Sequence, residues 1–159
     1  MSPVELPREH AIAAYSRVLD AWNRRDAVGF AALFTPTANV VGFDGSQMNG
    51  PEEIASALRS IFRDHPTAAY VAKVREIRLL DAHLTLLRAV VGMVPQGAEA
   101  LNPAANAVQS VLFVLESGRP KVELLHNTPA AFHGRPHLGE QLTAELEAVR
   151  VAGRLVDGG

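Results

Sequence analysis

The sequence predicts an α+β fold, a cone in which N-terminal helices pack on the concave face of a curved, mainly antiparallel sheet. Three observations predict it. Before His65 the apolar residues recur at helical spacing. From Tyr70 to Ala130 the period changes to that of strands, in four long runs rich in β-branched residues and parted by short turns. Helical spacing returns only after Phe132. Helices first and then consecutive strands give a segregated layout, in which a curved sheet over helices leaves a funnel between the layers. Concave, mostly apolar spaces of that kind are where small ligands bind.

The elements follow in order. Ile12, Tyr15, Leu19 and Trp22, with Val18 beside them, form one apolar face of a helix from about Pro7 to Asn23. Asp26 caps a second, shorter helix carrying Phe30, Leu33 and Phe34, which must stop before Pro36. Ala38 to Phe43 is a short strand closed by the turn pair Asp44-Gly45. Asn49-Gly50-Pro51 opens a third helix, with Glu52 and Glu53 at the positive end of its dipole. Ile54, Leu58, Ile61 and Phe62 are its core face, and His65-Pro66 ends it. The meander then runs through Tyr70–Leu80, Leu84–Val94, Ala105–Glu116 and Lys121–Ala130. The loop from Pro95 to Pro103 is a candidate rim or lid. Residues 1–136 are read as the single domain and 137–159 as a helical tail with Leu138, Leu142, Leu146 and Val149 in phase, frayed after Gly153.

Composition excludes several function classes. The chain has 159 residues, a formal net charge of −2 and no cysteine, which removes disulfides, thiolate nucleophiles and iron–sulfur clusters. Lys and Arg are scattered, so the row of cations that nucleic-acid binding needs is missing. No apolar run reaches the ~20 residues that cross a bilayer, and Met1–Glu9 lacks the apolar core of a signal peptide. A cytoplasmic protein without nucleic-acid or membrane partners is expected.

The polar residues of the meander point to the site. If Ser117-Gly118 is a two-residue turn with regular pairing beyond it, Phe113 faces Val122, Val111 faces Leu124 and Gln109 faces His126. Gln109 and His126 then stand together on the cavity face, and a one-residue slip would swap every side chain to the other side. A buried amide or imidazole without a partner costs about 1–3 kcal/mol, so both must bond each other, a water or a ligand. His126 is the one candidate general acid or base. Arg88 interrupts an apolar strand, either as an ion pair with Glu76 or Glu123 or as a fork for a carboxylate or enolate. Asn106 and Asn127 bond strand-end backbone or edge the cavity. Tyr15 and Trp22 belong to the core and, in a funnel, also touch its contents. His133 and His137 are separated by Gly134 and Pro136, which rules out a regular helical metal pair. The candidate ligand contacts are Tyr15, Trp22, Phe43, Arg88, Gln109, His126 and Asn127, with no metal and no cofactor.

The helix–helix–strand–helix–meander order resembles the nuclear-transport-factor-two-like superfamily, in particular its SnoaL-like members. Three stretches carry a narrower resemblance: Arg88–Pro95 (RAVVGMVP), Leu101–Gln109 (LNPAANAVQ) and Asn127–Pro136 (NTPAAFHGRP). Together they look like the SgcJ/EcaC-type subgroup of enediyne and related secondary metabolism, over roughly residues 8 to 136. The resemblance implies a homodimer of cone-shaped subunits joined through the outer sheet face, each with an internal cavity. It also implies what is missing. Ketosteroid isomerases of this superfamily carry a base aspartate three residues before a glycine; matching that glycine to Gly45 puts the base position on Gly42. The position of their oxyanion-hole acid falls near Ser110, in a strand without Asp. The His–Asp pair of the superfamily's dehydratases has no predictable aspartate beside His126 or His83. The expected role is to enclose a hydrophobic, polyketide-like small molecule. The alternatives are a cofactor-independent cyclase, isomerase or oxidoreductase, with Gln109, His126 and Arg88 on an enolate, and a protein-interaction module.

Overall fold

Tyr15, Val18 and Leu19 are wholly buried on one face of helix α1, Arg8–Asn23, as their spacing requires. The computed structural model describes residues 6–159, so the N-terminal stretch read above lies partly outside the described residues. At the end of α1, Arg25 takes a left-handed φ of 59° and its guanidinium bonds the carbonyls of Phe62 and His65. That clamp ties the α1 corner to the end of helix α3, Gly50–Asp64. Asp26 caps helix α2, Ala27–Ala31, by accepting the Gly29 N–H at 2.9 Å.

The strands are β1 Phe34–Val41, β2 Gln47–Asn49, β3 Ala69–Asp81, β4 Leu84–Val94, β5 Ala107–Glu116, β6 Arg119–Pro129 and β7 Val156–Asp157. They form one sheet in the order β2-β1-β6-β5-β4-β3-β7, antiparallel except for β1 beside β6 and β3 beside β7. Strand β1 opens four residues earlier than the sequence predicts and contains Pro36. It tolerates the proline because its pairing with β6 jumps from Phe34–Val122 to Asn39–Leu124, so Pro36 sits where no ladder bond is asked of it.

The β5–β6 hairpin decides which side chains face inward. Its turn is as expected: Ser117 and Gly118 both have positive φ, the geometry of a two-residue hairpin loop. Pairs follow the expected sum as far as Phe113–Val122 and then shift, Leu112 lying opposite Leu124. Glu123 is the extra residue of a bulge. Its carboxylate accepts from the hydroxyls of Thr35 and Thr37, so the bulge in β6 and the excursion of β1 are fastened to each other.

Helices α1 and α3 cover one face of the sheet, over Ala72, Val74, Leu87, Val91, Val111 and Phe113. The opposite face carries helix α4, Pro136–Val151, over β3 and β4. Leu142, Leu146 and Val149 pack there on Val71, Val90 and Leu101. Burying one such leucine stabilises by about 2 kcal/mol. Glu145 pins the helix from its wet side, 2.6 Å from Arg75 and 3.6 Å from Lys73. Two expectations change here. The Pro95–Pro103 loop is no lid, because Leu101 is buried under α4 and its N–H is held by Glu147 at 2.7 Å. The end of the chain is not frayed: it turns back at Gly153 and pairs Val156 and Asp157 with Ala72 and Lys73 of β3.

Candidate functional site

A pocket of about 430 Å³ lies between the helices and the inner face of the sheet. Val18, Leu19, Phe30, Leu58, Ile61 and Leu125 make its walls. Trp22 adds an aromatic wall, its ring centroid 5.1 Å from Phe62 and 5.6 Å from Tyr70. The indole N–H already donates to Ala68 O at 3.0 Å, so Trp22 offers the pocket only its apolar body. The mouth is built by the turn between β1 and β2, with Phe43, Asp44 and Ser46, together with Ala57 of α3 and Met93 of β4.

The polar end of the pocket is a short relay. The Tyr15 hydroxyl donates to Gln109 Oε1 at 2.5 Å, Gln109 Nε2 to Asn127 Oδ1 at 2.9 Å, and Asn127 Nδ2 to the Val41 carbonyl at 3.0 Å. Gln109 is almost completely buried, so a fully bonded amide is what burial demands. Tyr70 completes the group. Its backbone is gripped on both sides by Asn23, which accepts the Tyr70 N–H at 2.8 Å and donates to the Tyr70 carbonyl at 3.0 Å. Burial pushes the Tyr70 phenol up to about 12, the neighbouring Gln109 side chain opposing that rise. Burial, with Tyr70 close by, also raises Tyr15 well above an ordinary phenol. Both remain protonated donors at neutral pH, and the amides do not titrate. The interior therefore offers neutral donors and acceptors. Asp44 is a carboxylate at the rim, kept below its ordinary value by hydrogen bonds from Ser46, whose N–H lies 2.9 Å away.

The bulge at Glu123 corrects the expected site. Gln109 faces Asn127, not His126, and His126 pairs with Ser110 on the outer face. There its Nε2 meets Asn39 Oδ1 at 2.6 Å. Arg88 is on the same outer face, ion-paired with Glu76, one of the two partners expected for it. Gln109, His126 and Arg88 therefore do not converge on any enolate, because the sheet separates the first from the other two. Trp22, Phe43, Gln109 and Asn127 line the pocket, and Tyr15 stands behind Gln109 as its support. Tyr70, Met48 and Met93 were missed. Tyr70 was findable, since it is in phase with the inward Ala72 and Val74 of its own strand. Among the described residues no three His, Asp or Glu side chains come together as a metal site. No helix there is long and apolar enough to cross a membrane.

No family model matches the chain, and no curated protein matches it. Solved structures do. A domain of unknown function with a cystatin-like fold from Nostoc punctiforme is 25% identical, with 92% of each chain covered and a TM-score of 0.73. An NTF2-like protein of unknown function from Shewanella oneidensis is 15% identical over 77% of this chain and 98% of its own, at a TM-score of 0.64. A ketosteroid isomerase-like protein from Erwinia carotovora atroseptica is 17% identical over 76% of this chain and 93% of its own, at 0.59. Helices α1 to α3 on one face of a seven-stranded mixed sheet and α4 on the other, with these neighbours, give the chain the α+β NTF2-like, cystatin-like fold.

Proposed function

We propose that this protein binds a neutral, apolar small molecule between its helices and its sheet, and that the ligand is a polyketide-like intermediate or product of secondary metabolism. The observation that carries the reading is the pocket of about 430 Å³, its interior apolar apart from the uncharged group of Tyr70, Gln109 and Asn127, with Asp44, Ser46 and Gln47 as the other polar lining residues. Its size falls within the range of small-molecule sites, roughly 300–1,000 Å³. The polyketide class, of the enediyne type, rests on the three sequence stretches that resemble the SgcJ/EcaC-type subgroup. Native mass spectrometry of the purified protein, alone and mixed with an extract of its producing cells, tests the proposal. A retained apolar mass of a few hundred daltons is expected. A protein that retains nothing contradicts binding, and a compound released with altered mass replaces binding by catalysis.

The protein acts as a homodimer in this proposal, joined through the outer sheet face. Leu84, Leu86, Leu112, Val114 and Leu124 are only half-buried there, beyond the reach of α4, and they form a contiguous apolar patch across β4, β5 and β6. Light scattering should give twice the chain mass, and Leu112→Glu should halve it; a wild-type monomer contradicts the dimer.

A further inference from the structure

The direction of the relay is set from outside the pocket. A backbone carbonyl can only accept, so the Val41 carbonyl fixes Asn127 with its Nδ2 outward and its Oδ1 toward Gln109. Gln109 must then turn Nε2 to Asn127 and Oε1 to Tyr15, and Tyr15 must donate. Reversing either amide alone would set two oxygens against each other, Asn127 Oδ1 against the Val41 carbonyl or Gln109 Oε1 against Asn127 Oδ1. Two hydrogens of the group are left over among the described residues, the Tyr70 O–H and the second N–H of Asn127, because the second N–H of Gln109 is turned to the Tyr70 oxygen. Each amide oxygen, in contrast, already accepts a bond, and an idle second lone pair costs less than an idle hydrogen. No cation lines the pocket, and the charged group at its mouth is the Asp44 carboxylate.

Building on the binding role proposed above, we infer that the pocket selects a neutral carbonyl compound, a ketone or quinone whose oxygen docks against Tyr70 and Asn127, with Gln109 orienting both. The ligand's oxygen takes the leftover hydrogens and its carbon skeleton fills the apolar walls. A carboxylate fares worse, because it would enter past Asp44 and meet no counter-ion inside. Tyr70 is the specificity-determining residue, since it is a free donor held in place through its backbone by Asn23.

The test uses three naphthalenes of one size: 2-acetylnaphthalene, its hydrocarbon isostere 2-isopropenylnaphthalene, and 2-naphthoate, titrated into wild type and Tyr70→Phe. Losing one hydrogen bond should weaken the ketone about three- to tenfold. The hydrocarbon should bind both proteins alike, and naphthoate should bind more weakly than the ketone. The carbonyl stretch of bound 2-acetylnaphthalene should lie near its frequency in alcohol, below that in hydrocarbon, a readout that needs only the wild type. Equal losses for ketone and hydrocarbon, a hydrocarbon-like stretch, or naphthoate binding as well as the ketone would each overturn the carbonyl assignment while leaving apolar binding intact. Failure of all three to bind wild type would instead overturn the binding role itself.

Discussion

The two faces of the sheet manage their polar groups by opposite means. On the inner face Tyr15, Gln109 and Asn127 carry no charge and bond one another in a line that ends on a backbone carbonyl. On the outer face ion pairs open to water appear beside the hydrogen-bonded pair of His126 and Asn39: Arg88 with Glu76, and Glu145 with Arg75 and Lys73. Desolvation explains the division. A charge under the helices would cost several kcal/mol, whereas a neutral amide needs only its hydrogen bonds. The inner face thus suits the apolar ligand proposed above, while the outer face packs helix α4, carries the apolar patch proposed as a dimer seam, and meets water with its ion pairs.

Substitutions can sharpen that contrast, and the largest effect is expected from the outer face. Leu146→Ala removes a fully buried side chain from under α4 and should cost about 2–5 kcal/mol in urea unfolding, with ligand affinity unchanged in the folded protein. Affinity falling in step with stability would mean that the faces are not independent. Gln109→Leu strips Tyr15 of its acceptor and Asn127 of its donor, and should cost about 2 kcal/mol by the same measurement. It should also change binding, which Leu146→Ala does not.

The faces should also separate with pH. The Tyr15 and Tyr70 phenols are raised in the folded chain, so folding favours their protonated forms. That stability is complete below an ordinary phenol's value, about 10, and is lost as pH rises from there towards about 12 for Tyr70. Glu145 and Glu147 are lowered, chiefly by hydrogen bonds from Arg75 and Arg150, so their contribution is lost on the acid side, as pH falls below about 4.3. Both carboxylates are about a third exposed and partly screened by solvent, whereas the phenols are buried, so the acid loss should be small and the alkaline loss the larger. Circular dichroism of urea unfolding at a series of pH values reads both limbs; a steeper acid limb would reverse the assignment. The smallest effect belongs to His126→Ala, which should alter ligand affinity less than twofold, because its imidazole bonds Asn39 across the sheet from the pocket. A tenfold loss would return His126 to the site.

Much of the fold was legible because periodicity and turn chemistry are local. The apolar phase of Tyr15, Val18 and Leu19, the Asp26 cap and the Ser117-Gly118 turn each act within a few residues, and each was found where expected. The site was half legible. Gln109 lies between the turn's register and the bulge's effect on its partner strand, so its inward direction was found while its neighbour was not. A single extra residue at Glu123 leaves no mark in composition; it depends on Thr35 and Thr37, almost ninety positions earlier, which give the bulge its hydrogen bonds. The two-residue strand β7 and the burial of Leu101 under α4 are likewise long-range arrangements. Tyr70 differs: its phase with Ala72 and Val74 marks it as inward in the sequence, and only its grip by Asn23 is a long-range arrangement.

The proposed binding site is the space between helices and sheet. It is tested most directly by titrating the neutral fluorophore 6-propionyl-2-(dimethylamino)naphthalene into wild type and into Ala57→Trp, which puts an indole across the mouth beside Phe43. Saturable one-to-one binding to wild type, with blue-shifted emission, that disappears in Ala57→Trp is the predicted result. No binding to wild type, or equal binding to both, would contradict it.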